Sequence, residues 1–169
     1  DIVAKGMVTN LIFEGPPGCG KTTLANIIAS QYNTKLIKAS TNGGIDVLRE
    51  EIQEFVDGAS LFDEGKKGIK LVYLSEFDRA TPAMQDGLRD FIEENHEKVR
   101  FLATCNNIIK ISPAMLSRFN DVKFAPQNEE EKKFLMLGYL KRCQQVCAKE
   151  GINIDEKDLA RLVKKHCPD

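Results

Sequence analysis

The clearest chemistry in the chain is carried by "GPPGCGKTT", Gly15 to Thr23. Gly15, four residues, then Gly20, Lys21 and Thr22 is the spacing of a loop that wraps phosphate. Glycines let such a backbone curl until its N–H groups point inward at anionic oxygens. Lys21 has the reach for the terminal phosphates of a nucleotide, and the Thr22 hydroxyl can ligate Mg2+. Pro16, Pro17, Gly18, Cys19 and Thr23 complete the same cradle. "TNLIFEG", Thr9 to Gly15, reads as a buried strand leading in. "LANIIASQY" reads as a helix leading out, with Leu24, Ile27, Ile28 and Tyr32 at helical spacing. The start of that helix adds partial positive charge. A glycine-rich turn with a chance lysine is the plainer reading, and pattern and context together outweigh it.

A second group of polar residues, Ser75 and Glu76, ends the apolar run "IKLVYL". In phosphate-loop enzymes a neighbouring strand usually ends in an Asp that holds Mg2+. A Glu beside it can act as general base on the attacking water. Glu76 has the place of that base; as a surface acid at a strand end it would do nothing. Ser75 can hydrogen-bond a metal-bound water but brings no charge. Asp78 stands two residues beyond Glu76 and can substitute in part. The candidate Mg2+ set is therefore Thr22, Ser75 and Asp78.

Strands and helices must bring these groups together. "IKLVYLS" is nearly continuous in apolar residues, the pattern of a strand buried on both faces of a parallel sheet, and "VRFLATCN" is another. "KLIKAS" and "DVKFA" are shorter strands. "GGIDVLREEIQEFV" is helical, with Ile45, Leu48, Ile52, Phe55 and Val56 on one face. "DEGKKG" reads as a polar loop. "TPAMQDGLRDFIEEN" opens a helix with Thr81 as N-cap and Pro82 at its first position, and "SPAMLSRF" repeats this with Ser112 and Pro113. After Pro126 only helices follow. "NEEEKKFLMLGYLKRCQQVCAKEG" carries a capping box at Asn128 and Glu131 and a stop at Gly151. "DEKDLARLVKKH" is a second helix, capped by Asp155. The expectation is an α/β domain over residues 1–126 and the beginning of a helical one over 127–169.

The 169 residues suffice for one compact domain with a small appended piece. A net charge of −1 gives no bulk case for nucleic acid or membrane binding, so any DNA contact must be local or come through assembly. No apolar run is long enough to span a bilayer, and the start does not read as a secretion signal. The five cysteines lack disulfide-like spacing, which favours a reducing cytosol. Cys143, Cys147, His166 and Cys167 lack the paired short spacings of zinc sites. The chain opens on Asp1 and stops in "LVKKHCPD", so a fragment of a longer protein is expected.

"GPPGCGKTT", "LVYLSEFDRA", "FLATCNN" and "SPAMLSRF" stand in an order that resembles the AAA+ ATPases. The Ser-Arg pair in "LSRF" resembles that of sliding-clamp loader subunits. "NNIIKISPAMLSRF" and the tail from Lys149 are similar to phage clamp-loader ATPase subunits and to the small subunits of replication factor C. The resemblance covers nearly the whole chain. It implies a phosphate-loop AAA+ module, a five-stranded parallel sheet flanked by helices, followed by the start of a helical lid. It implies ATP and Mg2+ as ligands. It implies other clamp-loader subunits in a ring or spiral, a sliding clamp and primer-template DNA as partners, in cytoplasm (that of a bacterial host, for a phage). Asn106 resembles the sensor-1 residue that helps place the attacking water; otherwise it is a turn residue. Arg118 resembles the arginine finger given to a neighbour's ATP site; otherwise it is a surface arginine paired with an acid. Arg89 falls where the family carries a basic residue facing the DNA backbone; otherwise it belongs to a solvated face.

The chain also departs from the family. Ser75 replaces the usual Asp. "STNGGID" has no basic residue where eukaryotic relatives carry an Arg thought to restrain the catalytic Glu. The N-terminal segment lining the adenine pocket, the sensor-2 arginine and the collar domain all lie outside the sequence. Two readings follow: a subunit that hydrolyses ATP, and a nucleotide-binding subunit that hydrolyses nothing. A different AAA+ remodeller of DNA is a third, and the Ser-Arg pair argues against it.

Overall fold

The computed structural model describes residues 9–39, 44–58 and 67–166. Its centre is a parallel sheet of five strands: β1 (Leu11–Glu14), β2 (Tyr32–Lys38), β3 (Lys67–Ser75), β4 (Val99–Cys105) and β5 (Asn120–Lys123). Their order across the sheet is β2-β3-β4-β1-β5. Helices α1 (Lys21–Ala29), α2 (Ile45–Asp57), α3 (Pro82–Glu94) and the short α4 (Pro113–Leu116) connect them. Successive strand residues point to opposite faces, so the apolar runs feed two cores. Ile12, Val72, Leu74, Phe101 and Ala103 pack with Leu48, Ile52 and Val56 of α2 and with Leu88, Phe91 and Ile92 of α3. Leu11, Phe13, Leu71, Tyr73 and Leu102 pack on the other side with Ala25 and Ile28 of α1. Covering both faces is what requires a continuous apolar strand rather than an alternating one.

Several local expectations shift. The helix expected over "LANIIASQY" ends at Ala29, and Tyr32 is the buried first residue of β2. The inward stripe of α1 is Lys21, Ala25 and Ile28, because the loop delivers Lys21 into the interior and the helical period counts from there. Leu24 and Ile27 consequently face outward. β2 begins three residues before Lys35, and β3 begins at Lys67, inside the expected polar loop. The first four residues of "DEGKKG" lie outside the described residues, as do 40–43 of "STNGGID".

The caps follow the sequence more closely. Thr81 Oγ1 accepts from the Met84 N–H, and Ser112 Oγ accepts from the Met115 N–H. The chain divides into two units, residues 1–124 and 125–169. The second holds α5 (Glu129–Lys149) and α6 (Glu156–His166), which pack on each other. Asn128 Oδ1 accepts from the Glu131 N–H at 2.8 Å, but Glu131 takes the Gln127 N–H at 2.7 Å instead of that of Asn128. The capping box is thus displaced by one residue on its return arm. Gly151, at φ 66, stops α5 and lets the Ile152 N–H reach back to the Cys147 carbonyl at 2.9 Å. Among the described residues no helix is long and apolar enough to cross a membrane.

Candidate nucleotide site

The phosphate loop joins the carboxyl end of β1 to α1. Gly18 and Gly20 hold φ of 85° and 96°, and a Cβ at either would meet nothing within 4 Å. These glycines are therefore needed for backbone conformation, not for space. Lys21 is buried, and its Nζ donates to the Gly15 carbonyl at 2.6 Å and the Pro16 carbonyl at 2.8 Å. The Cys19 Sγ lies 3.6 Å from the same nitrogen. The first turn of α1 contains no acid and has no side-chain cap. Its free N–H groups and a buried ammonium bonded only to uncharged groups form a positive hollow that suits the phosphates of a nucleotide.

The sheet order sets the rest of the carboxyl edge. β4 lies between β3 and β1, with Glu14 paired to Cys105 and Leu74 to Ala103. Asn106, which follows Cys105, therefore stands between Glu76 and the phosphate loop. Neighbouring strands are about 4.8 Å apart, so the ends of β1 and β3 are separated by roughly 10 Å. Burial pushes the Cys105 thiol up to about 12, with Asp78, Glu14 and Asp121 adding to the effect and Lys21 opposing it. The same influences show that Asp78 and Lys21 both act on this strand end.

Glu76 is the one non-glycine residue with positive φ among the described residues, at φ 54 and ψ 45. Such a left-handed turn costs a side-chain-bearing residue about 1–2 kcal/mol. Its carboxylate pairs with Arg79 at 2.9 Å on the surface, and its N–H donates to Thr104 Oγ1 at 3.4 Å. Ser75 Oγ donates to the Ile37 carbonyl at 3.4 Å, a long bond that leaves the hydroxyl little committed. Asp78 Oδ1 is buried and without a hydrogen-bond partner. The unbonded carboxylate oxygen of Asp78 and the hydroxyls of Thr22 and Ser75 are hard oxygen donors, the type that Mg2+ takes.

Arg118 and Arg89 lie apart from this group. Arg118 precedes β5, whose first residue Asn120 pairs with Leu11, the first residue of β1. It thus sits at the amino edge of the sheet, opposite the phosphate loop. Its Nε donates to Glu93 Oε1 at 2.7 Å, Nη2 binds the same oxygen, and Nη1 donates to Ser117 Oγ at 2.8 Å. On α3, Arg89 donates to Asp90 Oδ1 from Nε at 3.0 Å and from Nη2 at 2.9 Å. Arg118 has the acid partner that its plainer reading expected, and Arg89 pairs with its sequence neighbour on the surface of α3. Half-exposed pairs of this kind are worth about 0–1 kcal/mol and exchange partners readily.

The sequence reading passed over Gln85. It is buried on α3, donates to the carbonyls of Ala80 and Lys110, and accepts from the Ser112 N–H at 2.8 Å. One amide thereby ties the turn after Glu76 to the segment after Asn106 and to the start of α4. The available signal was a glutamine at a core position of an amphipathic helix, between Met84 and Leu88.

A phosphate loop at the carboxyl edge of a parallel sheet, with an acid and an asparagine on the next two strand ends, defines a phosphate-loop nucleotide-binding fold. The chain belongs to the family described as ATPase family associated with various cellular activities (AAA), which it matches over residues 11–127. It is 35% identical to replication factor C subunit 3 of Oryza sativa subsp. japonica, over 92% of this chain and 43% of that protein. It is 34% identical to the sliding-clamp-loader large subunit of Enterobacteria phage T4, over 99% of this chain and 53% of that protein. The chain spans about half the length of these relatives. The fold is also that of the Thermotoga maritima RuvB Holliday junction branch migration motor, with a TM-score of 0.66 at 19% identity, over 96% of this chain and 51% of that one.

Proposed function

We propose that this chain is the ATPase portion of a subunit of a DNA polymerase clamp loader. ATP binds in the loop Gly15–Thr23, with Lys21 and the loop N–H groups on its phosphates. Thr22, Ser75 and Asp78 hold Mg2+ there, partly through water; when bound, the ion supplies charge neutralisation at the phosphates. Glu76 accepts the proton of the attacking water, and Asn106 orients that water from the strand end between Glu76 and the loop. Residues 1–126 form the nucleotide-binding core and 127–169 the start of its lid.

The observation that carries this reading is the separation of Arg118 from its own phosphate loop. Asn10 to Gly15 is a run of extended chain about 16 Å long at about 3.3 Å per residue, and Arg118 lies at its far end. An arginine so placed serves the site of a neighbouring subunit, where it stabilises charge developing in transfer. The likeness to clamp-loader subunits supports the same arrangement. ATP binding then drives the subunits into a spiral that opens a sliding clamp and grips primer-template DNA, and hydrolysis releases both, in the cytoplasm where replication proceeds. Arg89 contacts the DNA backbone, a contact without sequence preference that weakens with salt.

Ser75 favours a second reading, a subunit that binds ATP and does not turn it over. The test is ATP affinity with and without Mg2+ for the chain in its full assembly, comparing Ser75 with Ser75→Asp. Lys21→Ala serves as the control and should weaken binding roughly 10- to 100-fold, the worth of charge-assisted hydrogen bonds. Equal tightening by Mg2+ in both forms supports a working metal site. A response confined to Ser75→Asp selects the second reading.

A further inference from the structure

Asn10 stands just ahead of β1, outside the phosphate loop and outside every group considered above. Both ends of its side-chain amide are nevertheless hydrogen-bonded. Oδ1 accepts from the Phe101 N–H at 2.9 Å, and Nδ2 donates to the Arg118 carbonyl at 3.1 Å, across 108 residues of sequence. Its own carbonyl accepts from the Asn120 N–H at 2.9 Å. The neighbouring Thr9 Oγ1 accepts from Asn120 Nδ2 at 2.9 Å. The two ends of the amide are chemically distinct, an acceptor facing an N–H and a donor facing a carbonyl, so one orientation alone satisfies both. Arg118 lies between α4 and β5, where regular structure supplies no ladder bond to its carbonyl. The residues beside it are fixed: Leu116 and Phe119 pack against the core, and Phe119 meets Phe77 at 6.4 Å between ring centroids. The Arg118 N–H is held by the Met115 carbonyl at 3.0 Å, and its carbonyl by Asn10.

We propose that Asn10 is the positioning residue for Arg118. It locks the main chain from which the guanidinium projects toward a neighbouring subunit, and it references that main chain to β4, the strand that leads into Asn106. The inference rests on the reading of Arg118 as a residue acting in trans. Positioning matters because a displacement of about 1 Å at a group stabilising a transition state costs up to about 100-fold in rate. Asn10 lies at the opposite end of β1 from the phosphate loop, so its removal should leave ATP affinity alone and lower turnover only where Arg118 works.

The experiment measures ATP turnover of the assembled complex with clamp and primer-template DNA for wild type, Arg118→Ala, Asn10→Ala, Asn10→Asp and each Asn10 variant combined with Arg118→Ala. Asn10→Asp keeps the acceptor for Phe101 and sets a carboxylate oxygen against the Arg118 carbonyl in place of the donor, so it disrupts the Arg118 bond alone even where Asn10→Ala fails to fold. The expected result is a fall in kcat of roughly tenfold for Asn10→Asp, with KM and the thermal midpoint little changed. In the Arg118→Ala background the same substitution should have no further effect, since the group it positions is gone. A full additional loss in that background, or wild-type turnover for Asn10→Asp beside a large loss for Arg118→Ala, overturns the proposal alone. Unchanged turnover for Arg118→Ala overturns the trans reading and the proposal with it.

Discussion

Glu76 occupies a backbone conformation that costs a side chain free energy, directly after a strand whose apolar residues are buried (Leu71–Leu74) and one strand removed from the phosphate loop. Strain at such a place is kept when it aims a side chain. If Glu76 is the general base, Glu76→Gln should preserve ATP affinity and lower turnover in the assembled complex by about 10^2- to 10^4-fold; an unchanged rate removes it from the mechanism. Cys105 gives a prediction of another kind. The folded thiol keeps its proton to about 12, whereas an unfolded one releases it near the ordinary 9.0. Between those values the unfolded chain binds fewer protons, so stability should fall as pH rises through that window. Denaturant midpoints measured across it should decline more steeply for wild type than for Cys105→Ala. At this scale the sequence was legible wherever residue type alone fixes chemistry. Gly18, Gly20 and Lys21 announce a phosphate loop without any partner in view. The partners of Arg118 are not announced: Glu93 is 25 residues away and Asn10 is 108. Only the folded sheet brings them together.

Helices and strands were read best where both faces of an element carry the same message. β3 and β4 are apolar through Leu71–Leu74 and Phe101–Ala103 because helices cover both sides there, and a run such as "LVYL" admits few other roles. α1 was misread at its end because Tyr32 falls at helical spacing from Ile28 by coincidence. The loop, by delivering Lys21 inward, had already set a different register. Gly87 of α3 shows an element-level constraint that pattern alone does not reveal. A Cβ there would stand 2.4 Å from Cγ1 and 2.8 Å from Cδ1 of Ile45, the first residue of α2. Gly87→Ala should therefore destabilise the α2–α3 packing by about 1–3 kcal/mol, despite the higher helix propensity of alanine. Chemical denaturation checks this, and adding Ile45→Ala should lessen the penalty of the Gly87 change. A gain in stability for Gly87→Ala alone would mean that α2 yields at its first turn.

For the whole molecule, the phosphate loop and Arg118 lie at opposite edges of one sheet, and turnover should depend on company. Specific ATPase activity should rise with subunit concentration as neighbours associate. Arg118→Ala should remain at the basal rate throughout, a difference of about 10^3- to 10^5-fold where an arginine finger is supplied in trans. A rate independent of concentration would place the whole catalytic set within one chain. The arrangement also dictates how copies can join. A link with its socket on one edge and its pin on the other can offer the pin to one neighbour and the socket to another. Copies joined that way follow one another, as in heterologous assembly, which gives a closed ring or a helix according to the rotation at each step. In a row left open, the two end members differ from all the rest, one with an unfilled socket and one with an unused pin. A chain of identical links joined in this way would acquire a first and a last place, and with them a direction.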